Sequence, residues 1–212
     1  MFGARLSVLL DVVCFDSTQS YLDIYDCMSV WVSEIAQELR PETLLIGEHP
    51  LTITLGRSLK APSQVLPHAA AHAQIVQLER GGGATLHNPG QVVGYPLLRL
   101  KKRQLSPVSY LRMIERLLID TLETEGVSAG LQAGQTGVFV DSYKIASIGV
   151  AVKQDVSYHG FALNVCNHLN DFNFINPCGM DASLMTHLKK YNPTCDFIDV
   201  RNKIINKIQT CF

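Results

Sequence analysis

No stretch of this chain approaches the roughly 18 consecutive apolar residues that a membrane-spanning helix needs. C-x-x-C pairs are absent too, and Cys14, Cys27, Cys166, Cys178, Cys195 and Cys211 have no metal-finger spacing. A chain of 212 residues buries enough core to fold without disulfides, so reduced thiols and a cytoplasmic location are expected. Neither sign of charge dominates: 18 Lys and Arg stand against 19 Asp and Glu, for a net charge of −1 at pH 7. That balance excludes bulk attraction to nucleic acid or to an anionic membrane surface. The one basic run, Lys101 to Arg103, reads as a solvated loop. Repeats, low-complexity tracts and linkers are missing, so a single domain over residues 1–212, acting as a monomer, is expected. His87 and His159 have no third ligand spaced with them, so no metal site is expected.

What is present is an ordinary globular pattern, 47% hydrophobic and 17% charged. The opening MFGARLSVLLDVVCF sets Arg5 before an apolar run, but Asp11 interrupts it and no small-residue cleavage site follows, so an opening strand is expected. From Ser17 to Leu39 the residues Tyr21, Ile24, Met28, Trp31, Val32, Ile35 and Leu39 recur at helical spacing. Asp16 or Ser17 would cap this helix, and Pro41 would end it. TLLIGEHP and LTITLG read as two strands of a hairpin about Gly47 to Pro50. IVQLER and QVVGYPLLRL are strands on either side of a glycine-rich segment, and a second amphipathic helix runs from Pro107 to Glu125. GVFVD, KIASIGVAVK and SYHGFALNV form three more strands, with turns at Ser142 and Gln154–Asp155, before a closing helix from Cys195 to Thr210. Strands that come in runs predict an α+β fold with a mixed or antiparallel sheet flanked by helices.

Three segments carry candidate chemistry. RGGGATLHNPGQ, Arg80 to Gln91, puts three glycines after a strand, where backbone N–H groups can face a carbonyl or a phosphate. It contains neither G-x-G-x-x-G nor G-K-[ST], and a plain tight turn explains it equally well. YKIASIGVAV opens on Lys144 at the mouth of an apolar strand; taken alone, a solvated lysine is the simpler reading. Gly160 in SYHGFALNV implies close approach of a ligand or of another backbone. NPCGM holds Cys178 between Pro177, which fixes φ, and Gly179, which frees it, an odd place for a thiol that only fills volume.

Together and in this order, LGRS at Leu55 to Ser58, RGGGATLHNPGQVVGYPLL, GVFVDSYKIASIG, YHGFALNV and INPCGM resemble the motifs of the lipoyl(octanoyl) transferases, from about Thr52 to Leu188. The resemblance implies the fold shared with biotin and lipoate protein ligases. It implies Cys178 as the residue that carries an octanoyl group and Lys144 as the cation that lowers its pKa. It further implies an acyl-substrate site made by Arg80, Gly81, Gly82, Gly83, Ala84, Thr85, Leu86 and His87, with Ser147, Ile148, Gly149, Gly160, Phe161 and Ala162. The donor would be octanoyl-acyl carrier protein. The acceptors would be apo lipoyl domains of 2-oxoacid dehydrogenase E2 subunits and the glycine-cleavage H protein, with no cofactor. A thiol of pKa about 8.5 is mostly protonated at pH 7, and an ammonium about 4 Å away favours the thiolate by about 4 kcal/mol at an effective dielectric of 20. Gly83, Asn88 and Thr136 depart from the usual wording of these motifs. Two rival readings are an ATP-dependent lipoate or biotinyl ligase, which needs no Cys178, and a non-catalytic acyl or lipoyl-domain binding protein.

Overall fold

Runs of residues that are apolar on alternate positions build two sheets. The computed structural model describes residues 10–58, 65–66 and 69–211, with the side chains of Ala70 and Cys178 outside that description. In chain order its main elements are β1 (Asp11–Cys14), α1 (Tyr21–Ala36), β2 (Thr43–Gly47), β3 (Thr52–Leu55), β4 (Gln74–Gln77) and β5 (Ala84–His87). They continue with β6 (Gln91–Leu97), α2 (Pro107–Thr124), β7 (Val138–Val140), β8 (Tyr143–Lys153), β9 (Val156–Asn164) and α3 (Phe197–Cys211). The larger sheet has the order β1-β2-β6-β9-β8-β7 and is antiparallel except at β1–β2; the smaller has the order β4-β3-β5 with β3 and β4 parallel. The sheet is thus mixed and the class α+β, as expected.

Period-2 alternation decides which layer each side chain joins. Leu44 and Ile46 of β2 pack with α2 and α3, whereas Leu45 packs with α1. The helix α1 buries Tyr21, Ile24, Met28, Val32 and Ile35 on one face. Its cap is Ser20, whose hydroxyl accepts from the Asp23 N–H at 3.1 Å, not Asp16 or Ser17. Helical geometry begins only where the apolar stripe does, and Asp16 instead turns back to the Thr18 N–H. The helix α2 starts at Pro107 behind a reciprocal Ser106–Ser109 capping box.

Two expectations fail. Thr43–Gly47 and Thr52–Leu55 form no hairpin: β2 joins the large sheet and β3 the small one. β2 is buried along its whole length and pairs on both edges, with β1 and β6, so it has no edge left for β3. Nor is the glycine-rich segment all loop, since Ala84–His87 pairs with β3 as β5. Of the opening strand, Asp11–Cys14 is observed and residues 1–9 lie outside the described residues. No helix among the described residues is long and apolar enough to cross a membrane.

Candidate active site

Where the small sheet meets strands β6, β8 and β9, side chains line a partly open chamber. Its wall contains Arg80, Gly82, Thr85, His87, Lys144, Ser147, Ile148, Gly149, Gly160, Phe161 and Ala162, eleven of the residues singled out in the sequence. The rest of that set divides by geometry. Ala84 and Leu86 alternate with Thr85 and His87 along β5 and so point into the core of the small sheet. Gly81 and Gly83 contribute backbone: the Gly81 N–H donates to Val150 O, and Gly83 O accepts from the Gly56 N–H. Gly160 and Gly149 also let neighbouring backbone approach closely. A Cβ on Gly160 would lie 2.1 Å from Gly94 O, and one on Gly149 would lie 3.0 Å from Gly81 O.

The chamber also has walls whose sequence gave little sign of that role: Tyr21 from α1, Tyr95 from β6 and His159 from β9. Tyr21 carried a partial signal, a hydroxyl at the first buried position of an amphipathic helix. Tyr95 reads as ordinary strand filling in a single sequence.

A buried polar chain runs beneath this wall. The Arg80 guanidinium donates to Thr54 O at 2.6 Å and to Thr54 Oγ1 at 2.8 Å. With Oγ1 accepting from arginine, the Thr54 hydroxyl is left to donate towards His87 Nε2, 3.4 Å away. His87 Nδ1 lies 2.9 Å from Gln91 Oε1, while the Gln91 amide nitrogen donates to Leu86 O and Asn164 Oδ1. That pattern places the His87 proton on Nδ1. Burial, and secondarily the Arg80 charge, hold the His87 pKa down to about 4 although the Gln91 bond opposes them. His49, bonded to the Tyr95 hydroxyl at 2.8 Å, is lowered to about 2 by burial and then by His87. Burial lowers His159 to about 3, with Arg80 and His87 adding to it. The imidazoles are therefore neutral near pH 7. Burial raises the Tyr21 hydroxyl to about 12, so it stays protonated. No cluster of His, Cys, Asp and Glu among the described residues could hold a metal ion.

Lys144 is buried, only 3% exposed, which removes the solvated-lysine reading. Its Nζ stands 5.6 Å from the Phe139 ring centroid. Gly137 opens the space for it, because a Cβ there would come within 2.7 Å of Lys144 Cε. On the other side of Lys144 the chain after Cys178 runs past: Met185 bridges to Lys144, and the Thr186 N–H donates to Lys144 O at 2.9 Å. Pro177–Gly179 forms a single 3₁₀ turn, closed by Gly179 N–H to Asn176 O at 3.0 Å, with Gly179 at φ 82°. This turn packs against β5. The backbone thus holds Cys178 in a fixed turn beside the chamber's strand, while its thiol lies outside the described residues. Asn88, one of the departures, bonds to Asp171 Oδ2 at 2.7 Å and to Asn167, tying the strand-end turn to the segment that leads to Cys178.

Residues 20–209 match the family model of the lipoyl protein ligase A/B catalytic domain. The octanoyltransferase of Geobacter metallireducens is 44% identical over 73% of this chain and 70% of its own length. That of Synechococcus elongatus is 34% identical over 99% of the chain and 89% of its own length. Among solved structures, a bipartite lipoate protein ligase from Thermoplasma acidophilum, studied with its E2 lipoyl domain, superposes with a TM-score of 0.70 at 14% identity, covering 96% of this chain and 83% of that one. The biotin protein ligase of Aquifex aeolicus superposes with a TM-score of 0.54 at 11% identity, covering 96% and 68%. At such identities the structural likeness establishes the fold.

Proposed function

The chain belongs to the lipoyl protein ligase A/B catalytic domain family, and we propose how it carries out the activity of its octanoyltransferase relatives. It is an acyltransferase that moves an octanoyl group in protein lipoylation, with lipoyl-domain proteins as acceptors. The donor is octanoyl-acyl carrier protein. The Cys178 thiolate attacks the donor's thioester carbonyl; the new C–S bond forms as the carrier's thiolate leaves and takes up a proton. A lysine amine of an apo lipoyl domain, of an E2 subunit or of the glycine-cleavage H protein, then attacks the octanoyl–Cys178 thioester. It loses a proton as the amide forms, and the cysteine thiol is restored. The first step exchanges one thioester for another and the second runs downhill to an amide, so neither a nucleotide nor a cofactor is needed. The enzyme acts as a cytoplasmic monomer.

The observation that carries this reading is that the chamber is lined by strand β5 and the buried Lys144, and that the Pro177–Gly179 turn packs on β5 while the segment after it bridges to Lys144. Lys144 stabilises the thiolate by charge, and the turn fixes its direction of attack. Backbone N–H groups near Cys178 are the default donors to the developing oxyanion.

The test is intact-protein mass spectrometry after mixing the enzyme with octanoyl-carrier protein in apyrase-treated buffer. An octanoyl adduct on the Cys178 peptide, labile to hydroxylamine and discharged by apo lipoyl domain, is expected. An adduct on another cysteine removes Cys178 from the mechanism. Use of free octanoate only with ATP, with the carrier thioester inert, replaces transfer by ligation.

A further inference from the structure

Strand β8 changes partner beside the chamber. From Lys153 back to Ala146 it pairs with β9, the last pair being Ala146 with Leu163. At Lys144, with Phe139 of β7 on one edge, the chain returning from Cys178 has taken the edge that β9 leaves. Met185 forms a parallel bridge with Lys144, and the Thr186 N–H donates to Lys144 O at 2.9 Å. Asn164 ends β9 at this point and is 1% exposed. Its Nδ2 donates to Thr186 O at 2.9 Å. One residue of the returning chain is thus held twice, its N–H by Lys144 and its carbonyl by Asn164.

The oxygen of the same amide faces the polar chain beneath the chamber. Asn164 Oδ1 accepts from Gln91 Nε2 at 2.9 Å and from Asn167 Nδ2 at 3.2 Å. Gln91 in turn holds His87 Nδ1, and the Asn167 amide also donates to Asn88 Oδ1 at 2.9 Å. Asn88 reaches His168 O at 3.0 Å and Asp171 Oδ2 at 2.7 Å, on the limb that leads towards Cys178. An asparagine offers an acceptor on one side of its amide and a donor on the other, and here the acceptor serves the sheet and the donor serves the Cys178 segment. That segment, residues 165–185, leaves the sheet at Asn164 and comes back to it at Thr186. A backbone bond from the Lys189 N–H to Val165 O, 2.9 Å long, closes the same stem. It lies beyond Thr186, however, and leaves the register of Thr186 on Lys144 to Asn164.

We propose that Asn164 is a positioning residue for acyl transfer: by holding Thr186 against the Lys144 backbone, it keeps the Cys178 segment in register with the lysine that activates the thiol. The inference rests on the acyl-transfer reading above and adds to it the residue that aligns the two groups. Asn164 acts through Thr186. Without its amide a buried carbonyl loses its donor, and the returning limb can shift along Lys144 while β6, β8 and β9 stay paired. A misplacement of about 1 Å can cost about a hundredfold in rate.

The experiment follows acylation of Cys178 in single turnovers over a range of octanoyl-carrier concentrations, which separates the maximal rate from half-saturation. Asn164→Leu keeps the volume and removes the amide. Its maximal rate should fall at least twentyfold, with half-saturation changed less than threefold and every molecule acylated in the end. Thr186→Pro removes the N–H that meets Lys144 O, and Met185 before it is already extended, with φ −83° and ψ 143°, the conformation that a following proline favours. Both changes cut one chain of bonds, so the double variant should be less than threefold slower than the slower single one. A maximal rate within threefold of normal in Asn164→Leu overturns the proposal, as does a loss confined to half-saturation or a double variant in which the two losses multiply. If Asn164→Leu does not fold, Asn164→Asp, which keeps the acceptor oxygen and loses the donor, takes its place with the same expected loss; if Thr186→Pro does not fold, the single variant decides. Should the unmodified enzyme take no acyl group from the carrier, the acyl-transfer reading itself fails. Amide hydrogen exchange then judges the inference separately: exchange at Thr186 at least tenfold faster in Asn164→Leu, with β2 unchanged, supports it, and equal exchange at Thr186 sinks it.

Discussion

A buried ammonium is costly unless something nearby rewards its charge, and Lys144 is held at 3% exposure at the end of an otherwise apolar strand. A thiolate on Cys178 would supply that reward. Lys144→Met keeps most of the stem and loses the ammonium, so the apparent pKa of Cys178 should rise and its acylation slow, each unit corresponding to about 1.4 kcal/mol. Alkylation of Cys178 followed against pH, in a background with the other cysteines replaced, reads this directly; an unchanged profile defeats the dyad. The space that Gly137 leaves gives a second handle. Gly137→Ala puts a methyl 2.7 Å from Lys144 Cε and 2.5 Å from Ala146 O, so the ammonium must move. Acylation should drop at least tenfold, and normal acylation in a folded Gly137→Ala protein would mean that the lysine's place does not matter. Lys144 was legible in the sequence through the segment it opens. The grip of Asn164 on Thr186 was not, because satisfaction of a buried group depends on neighbours far away in the chain.

Among the elements, helices were the easier to read, since a helix records its own buried face: α1 and α2 lie where the spacing of apolar residues put them, to within a turn. Strand pairing leaves no such local record. Thr43–Gly47 and Thr52–Leu55 look like hairpin partners by proximity in sequence, but β2 is saturated by β1 and β6. β5 was hidden because the glycines before it mimic an open loop. The sheet's own demands show in Gly94 of β6 and Gly160 of β9. A Cβ at Gly94 would meet the Phe161 ring at 2.2 Å, and one at Gly160 would meet Gly94 O at 2.1 Å. Because backbone is the obstacle at Gly160, Gly160→Ala must force β6 and β9 away from each other in the middle of the central sheet. We expect a loss of about 3 kcal/mol, at the upper end for overpacking, and a Tm lower by roughly 6–12 °C for a chain of this length. Ser106→Ala, which removes only the cap of α2, should cost about 1 kcal/mol. Calorimetry that ranks the cap loss above the strand-separation loss contradicts this account.

At the scale of the whole molecule, the chamber makes folding sensitive to acid. His87, His159 and His49 have pKa values lowered by burial to about 4, 3 and 2, against about 6.5 in an unfolded chain. Above pH 6.5 they are neutral in both states, and the folded protein keeps its full stability. As pH falls below 6.5 the unfolded chain binds protons that the folded chain refuses, and stability declines by up to about 1.4 kcal/mol per pH unit for each histidine. The decline continues until each folded-state pKa is reached. His187, also lowered by burial, acts in the same direction. The lowered carboxyls of Asp16 and Asp181 enter only below about pH 4, so the window from pH 6.5 to 4.5 belongs to the imidazoles. Urea unfolding at pH 7, 6 and 5 should therefore show midpoints that fall steadily, with a loss of about 2 kcal/mol per histidine at pH 5. His159→Asn should give a shallower slope by one histidine's share while leaving the pH 7 to 8 plateau flat. A midpoint that holds constant from pH 7 to pH 5 would mean that these rings accept protons in the folded state, and that the chamber is wetter and more open than its packing indicates.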